Sequence, residues 1–421
     1  MKHAPPYLFF ASILLVILSA CGNPLPAPTQ FPPTVDEVPT PSETPAPSAV
    51  MVDDSTVFAP LPTEKVISFG PTLPNGIATD SRDGIGITFY GPDGIVLGEV
   101  RATSLASPSP ATVHIAGSYT GALDFPVVFY SSENEPFSLR VSQNGQTTPL
   151  VDVQNLSGLT GVPGQPLLAY ASMEPQDNGV LRTRVFLGDL TSLVNPTPVL
   201  IVDSTESRAA VPVMIRVQNG VATGLWYTLR PWGIGGEIVF DPLEGLYYLD
   251  LKDRTVYEVL PEEAVFSAIS QSQIWVAYSA RQDGQPILRL LNLATGQTVN
   301  MPPLAESDRG SGAAILSPGD QVVWLEARGS LIDGTFFATI RVANPEGLVL
   351  FDYPQSQFYK AAGLGEQVSI QPLGWLDEQR FLVQVSAQGQ DLLPVVVQVD
   401  ISTGEIASLA PGTFVGFLHH P

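Results

Sequence analysis

The chain has 421 residues, 44% of them hydrophobic and only 14% charged, against about 25% in typical soluble domains. Its formal charge of −22, from 41 acidic against 19 basic residues, argues against nucleic acid and anionic lipid surfaces as partners, because both are bound through basic patches. A single cysteine excludes an internal disulfide and any multi-cysteine metal centre, and with only four histidines neither a metal nor a cofactor is expected.

The first 21 residues read as an address. Lys2 supplies a positive start, and Tyr7–Leu18 forms an apolar run too short to span a bilayer as a permanent helix, which needs roughly 20 residues. Leu18-Ser19-Ala20-Cys21 resembles the bacterial lipobox. The resemblance implies that residues 1–20 are removed as a signal peptide and that Cys21 is acylated and becomes the new N-terminus. Two or three acyl chains give stable anchoring where one is marginal. The expected location is therefore a cell membrane, with the chain lipid-anchored and facing outside the cytoplasm.

Residues 21–63 are rich in Pro, Ser, Thr and acids. Such a stretch buries too little apolar surface to offset its ordering entropy, so it is expected to be a disordered linker reaching on the order of 100 Å.

From residue 64 onward no long helical periodicity stands out. Short β-rich runs alternate with turn residues, and the 37 glycines and 40 prolines are spread along the chain. The clearest unit is Ser267–Val299: a run at Ile274–Ser279, a turn at Gln282-Asp283-Gly284, a run at Ile287–Leu293 and the turn Ala294-Thr295-Gly296. The same grammar recurs at Arg380–Leu409. Turns of the last kind fall near residues 94, 145, 192, 253, 296, 347 and 404, a period of about 50 residues. Four short strands per unit at that period predict an all-β fold: a β-propeller over 64–421, most simply with seven four-stranded blades, six or eight being the alternatives. Thr413–Leu418 reads as one more innermost strand that could complete the first unit, a place for which Val66–Phe69 competes, so closure stays open at this point.

Ser317-Pro318-Gly319-Asp320, Asp400-Ile401-Ser402-Thr403-Gly404 and Asn292-Leu293-Ala294-Thr295-Gly296, with Tyr278 and Trp324 on second strands, resemble the repeats of TolB-type and WD-like bacterial propellers. That resemblance implies the fold and not one activity.

The longest interval, between 192 and 253, contains the aromatic stretch Leu225–Tyr248. The candidate ligand-binding residues are Trp226, Arg230, Trp232, Glu237, Asp241 and Glu244. Arg230 among aromatics suits a sugar or a carboxylate, and the three acids suit glycoside cleavage or a hard cation. The competing reading is that Trp226, Tyr247 and Tyr248 pack between blades and that Trp232 and Phe240 cap the ring. Asp80-Ser81-Arg82-Asp83-Gly84 reads as a hairpin turn, because it lacks the acceptor ladder of a calcium loop. Gly310-Ser311-Gly312 has the wrong spacing for a nucleophile elbow. His114 is the only histidine inside the predicted fold, and a core or ring-lining role fits it better than that of a general base. No catalytic residue stands out. The expected protein is a monomeric binding or scaffolding module for a protein or glycan. A carbohydrate-active enzyme using the 230–244 acids and an envelope assembly factor are the alternatives.

Overall fold

The computed structural model describes residues 49–53, 59–62, 73–81, 86–102, 105, 112–131, 137–194, 196–232, 243–282, 284–304, 310–329, 334–387 and 392–421. The proposed signal peptide, Cys21, Glu237 and Asp241 lie outside these residues.

Described strands form an all-β β-propeller. Each unit runs outward as a meander from an innermost strand, and each of the seven marker turns lies between two successive antiparallel strands. The sequence dictates these turns locally. In the last unit the Asp400 carboxylate accepts from the amides of Ser402 (2.8 Å) and Thr403 (3.3 Å). Asn292 does the same for Ala294 and Thr295 at 2.9 and 3.0 Å. The closing Gly404 adopts φ 76°, the left-handed conformation that glycine enters without steric cost. In Ser317–Asp320 the swapped order puts Asp320 into that conformation at φ 63°.

The expected seven separate blades are not what the hydrogen bonding shows. Five sheets are blade-sized, four with four strands and one with five, and a further continuous sheet has eight. The reason lies in one strand, Thr255–Ile269, which is 15 residues long. Its first part pairs with Glu244–Asp250 and its last part with Trp275–Gln282, so the 253 and 296 turns share one sheet. That sheet folds on itself: Trp226, Leu246 and Tyr248 from its first half share a core cluster with Phe266, Val276 and Tyr278 from its second. Comparable clusters fill the spaces between neighbouring sheets, each face burying apolar side chains against the next.

The ring closes through the C-terminus. Phe414–His419 pairs antiparallel with Pro74–Asp80, becoming the innermost strand of a sheet completed by Gly86–Tyr90 and Val96–Arg101. The Asp80 amide donates to Thr413 O at 2.9 Å and Thr79 Oγ1 to Pro411 O at 2.8 Å. Pro74–Asp80 pairs antiparallel with Gly86–Tyr90, and the Ser81 amide donates to Gly86 O at 2.7 Å; the hairpin turn read at Asp80–Gly84 lies for the most part outside the described residues.

The linker boundary at residue 63 moves. Val50–Asp53 forms a parallel strand on Pro198–Ser204, and Ala59–Pro60 pairs with Tyr257 and Glu258. Val52 is buried by this docking. The physical reason is an open sheet edge: the apolar run Val50-Met51-Val52 satisfies backbone groups that the outer strand Pro198–Ser204 would otherwise expose. One short α-helix, Gln355–Ala362, joins the last two sheets and ends at Gly363 in the left-handed conformation.

Candidate functional site

The described parts of the aromatic stretch, residues 225–232 and 243–248, contribute mostly core. Trp226 is 1% exposed, its indole N–H donates to Gln273 Oε1 at 3.1 Å, and its ring lies 4.8 Å from that of Tyr248. Tyr227 stacks on Tyr247 at 5.1 Å. Neighbouring aromatics on strands Val221–Pro231 and Glu244–Asp250 take opposite faces, Trp226 and Tyr248 in one core cluster and Tyr227 and Tyr247 in another, so their rings fill the spaces between sheets. Trp226 is therefore a packing residue, as the competing reading holds. Trp232 sits just past the strand end, 49% exposed, its amide donating to Ser207 O at 2.7 Å. Arg230 is half-buried, opposite Ala209 in the ladder.

Glu244 is engaged by a cation. Its carboxylate lies 3.1 Å from Arg208 Nε, and the same guanidinium also pairs with Glu206 and Glu262. Burial raises the Glu244 carboxyl above its ordinary range, Arg208 opposes that, and Glu262 and Glu206 reinforce it. Of the six predicted residues, the described structure engages Glu244 with Arg208, buries Trp226 and leaves Trp232 at the surface.

Two cavities open among the described residues. The larger, about 450 Å³, is lined by Glu263, Ser267, Ser279, Arg281, Ser311 and Gln371 among others. Three innermost strands contribute to it: Thr255–Ile269, Gly310–Leu316 and Val368–Trp375. Leu243 also lines it and accepts a hydrogen bond from the Phe266 amide at 2.7 Å, so the aromatic stretch ends at this opening. Gly284, in the turn between the second and third strands of its unit, marks the face. In propellers that face also carries the connections between units.

Bulges shape the wall. The innermost strands shift register at Phe266/Ala268, Gly312/Ile315, Pro372/Gly374 and Phe414/Gly416. At one of them Ala313 adopts φ 49°, uncommon for a residue with a side chain. No motif in the sequence marks this cavity. The available signal was the run Gly310-Ser311-Gly312-Ala313-Ala314, a strand whose side chains are too small to fill the space before them.

The second cavity, about 240 Å³, is lined by His114, Thr160, Gly161, Phe417 and His419. Leu373 lines both cavities. His114 lies on the innermost strand Val113–Ile115, as the ring-lining reading expects, and donates from Nε2 to Gln165 O at 3.0 Å. Burial lowers its pKa to about 4 against that hydrogen bond. His419 is also lowered to about 4, by burial first and the neighbouring His114 second, while a hydrogen bond with the Leu73 main chain works the other way. Both imidazoles are therefore neutral at pH 7. Among the described residues there is no cluster of three or more metal-ligating side chains, and no helix is long and apolar enough to cross a membrane.

No family model matches the chain, and no curated protein matches it. Solved structures do. The β-propeller domain of the Trilobed protease from Pyrococcus furiosus shares 12% identity over 84% of this chain and 98% of its own, with TM-score 0.48. An oligogalacturonate lyase in complex with manganese shares 15% over 82% of this chain and 86% of its own, with TM-score 0.47. TolB from Acinetobacter baumannii shares 13% over 66% of this chain, which spans 63% of that protein, with TM-score 0.37. TolB-type propellers are thus among the structural neighbours.

Proposed function

We propose that this chain is a membrane-anchored lipoprotein, acylated at Cys21 after loss of residues 1–20, that presents its propeller outside the cytoplasm as a monomeric binding module for a protein or glycan ligand. In this reading the ring has seven blades, the eight-stranded sheet counting as two that share Thr255–Ile269. The observation that carries the binding role is the 450 Å³ cavity, whose size falls within the usual range for ligand sites of roughly 300–1,000 Å³. Of the three acids on which the glycan-cleaving alternative rests, Glu244 alone is among the described residues, and it pairs with Arg208.

Two experiments test the parts separately. Metabolic labelling with a fatty-acid analogue should mark the protein and lose the mark in Cys21→Ser; a label retained by that variant removes the anchor. Thermal-shift screening against short peptides and oligosaccharides should find a stabilising ligand, whose effect disappears in Gln371→Trp. Gln371 is exposed and lines the cavity, so the larger ring obstructs the opening without entering the core.

A further inference from the structure

The charged groups of the larger cavity point to its ligand. Glu263 and Arg281 both line it. They lie on adjacent strands, each two residues beyond the ladder pair Val265–Ser279. Opposite charges so placed ordinarily pair across strands. Here, among the described residues, neither forms an ion pair with the other or with any other group, and both are exposed. A cation and an anion held apart at one opening complement a ligand that carries both.

Between them the wall is uncharged and small. Ser267, Ser311, Gly312, Ala313 and Ala314 leave the volume open, and Ser279 Oγ is already committed to Ser311 O at 2.6 Å. The bulge at Gly312/Ile315 takes main-chain groups of residues 313 and 314 out of the regular ladder, which suits a ligand with amide groups. Among the described lining residues the one aromatic side chain, Phe266, is 5% exposed and offers no open ring face for stacking on a sugar. Charge, volume and lining thus agree on a small dipolar molecule.

We infer that this cavity binds a zwitterion of the amino-acid or short-peptide class, its ammonium group at Glu263 and its carboxylate at Arg281. The inference rests on the reading of the cavity as the ligand site. Carboxylate and guanidinium groups bind such termini by charge-assisted hydrogen bonds, with Arg281 able to engage a carboxylate through two parallel bonds.

Titration calorimetry of the full chain tests it with three probes: dialanine, the same dipeptide acetylated and amidated, and maltotriose. Dialanine should bind, and blocking its ends should weaken binding at least tenfold. Glu263→Gln and Arg281→Gln should each weaken dialanine at least tenfold and leave the melting profile unchanged, both side chains being exposed. Gln371→Trp should abolish binding. Absence of heat with dialanine at millimolar concentration overturns the inference, as does equal binding of the blocked dipeptide. If the blocked dipeptide or maltotriose binds and Gln371→Trp abolishes it, the cavity stands as the site and the zwitterion falls. If a probe binds undiminished in Gln371→Trp, the placement of the site falls with it.

Discussion

Gly161 lies against the imidazole of His114 so closely that a Cβ on residue 161 would overlap ring atoms Cε1, Nδ1 and Nε2. The absence of a side chain there lets a large polar ring sit inside the wall of the ring. It also holds Nε2 where it reaches Gln165 O at 3.0 Å. Gly161→Ala should therefore displace His114, break that hydrogen bond and destabilise the fold by about 1–3 kcal/mol. Urea unfolding of the variant checks this, and an unchanged midpoint would show that the ring moves aside freely.

The two buried histidines set a pH dependence. Both have folded pKa values lowered to about 4 from 6.5, so the unfolded chain binds more protons between those values. Their stabilisation is complete above about pH 6.5 and is lost as the pH falls toward 4. From pH 7 to pH 5 the expected loss is on the order of 1–2 kcal/mol per histidine. Comparing that slope in the wild type and in the double variant His114→Gln/His419→Gln isolates the contribution. Burial raises the carboxyls of Asp80, Glu244 and Asp320, which act with the opposite sign, so the difference in slope between the two proteins, and not the slope of either, is the informative quantity.

Glu326 is fully buried and accepts from Arg341 Nη1 at 3.0 Å, Trp324 Nε1 at 3.1 Å and the Leu304 amide at 2.9 Å. Arg341 also holds Asp352 at 2.7 Å and the Pro302 carbonyl. The group ties the connection after Thr298–Asn300 to the next sheet. Arg341→Met leaves a buried carboxylate without its cation and should cost about 3–5 kcal/mol. Adding Glu326→Gln should recover part of that loss, and a double-mutant cycle measures the coupling.

Ring closure depends on the last strand. Phe414, Val415 and Leu418 are all buried and together contribute on the order of 5 kcal/mol. Their removal also exposes the edge of Pro74–Asp80. A chain ending at residue 413 should lose cooperative unfolding and become sensitive to limited proteolysis. A sharp melt and an intact protease pattern would mean that the open ring holds without its clasp.

Much of the architecture is legible locally. An Asp or Asn followed four residues later by Gly marks a turn because its carboxylate or amide oxygen reaches amides two and three residues on. The closing strand is legible only in part: Phe414-Val415-Gly416-Phe417-Leu418 follows a unit that already has four strands, but Val66–Phe69 competes for the same place in sequence, and the pairing with Pro74–Asp80 comes from the tertiary structure. The fused sheet is not legible in this way. The 253 and 296 turns look like any other pair, and nothing local says that Thr255–Ile269 continues unbroken from one meander into the next.

The sequence by itself determined the turns, the strands between them and the all-β class, because those depend on groups within a few residues of one another. Tertiary structure decided which aromatics are exposed, which acids are paired and where open volume remains. Trp226 and Trp232 are alike in sequence, and only the packing of Tyr248 and Gln273 around the first tells them apart. Glu263, Ser311 and Gln371 line one cavity only because the ring brings three innermost strands to a common opening. That convergence is a property of closure, which no single unit contains.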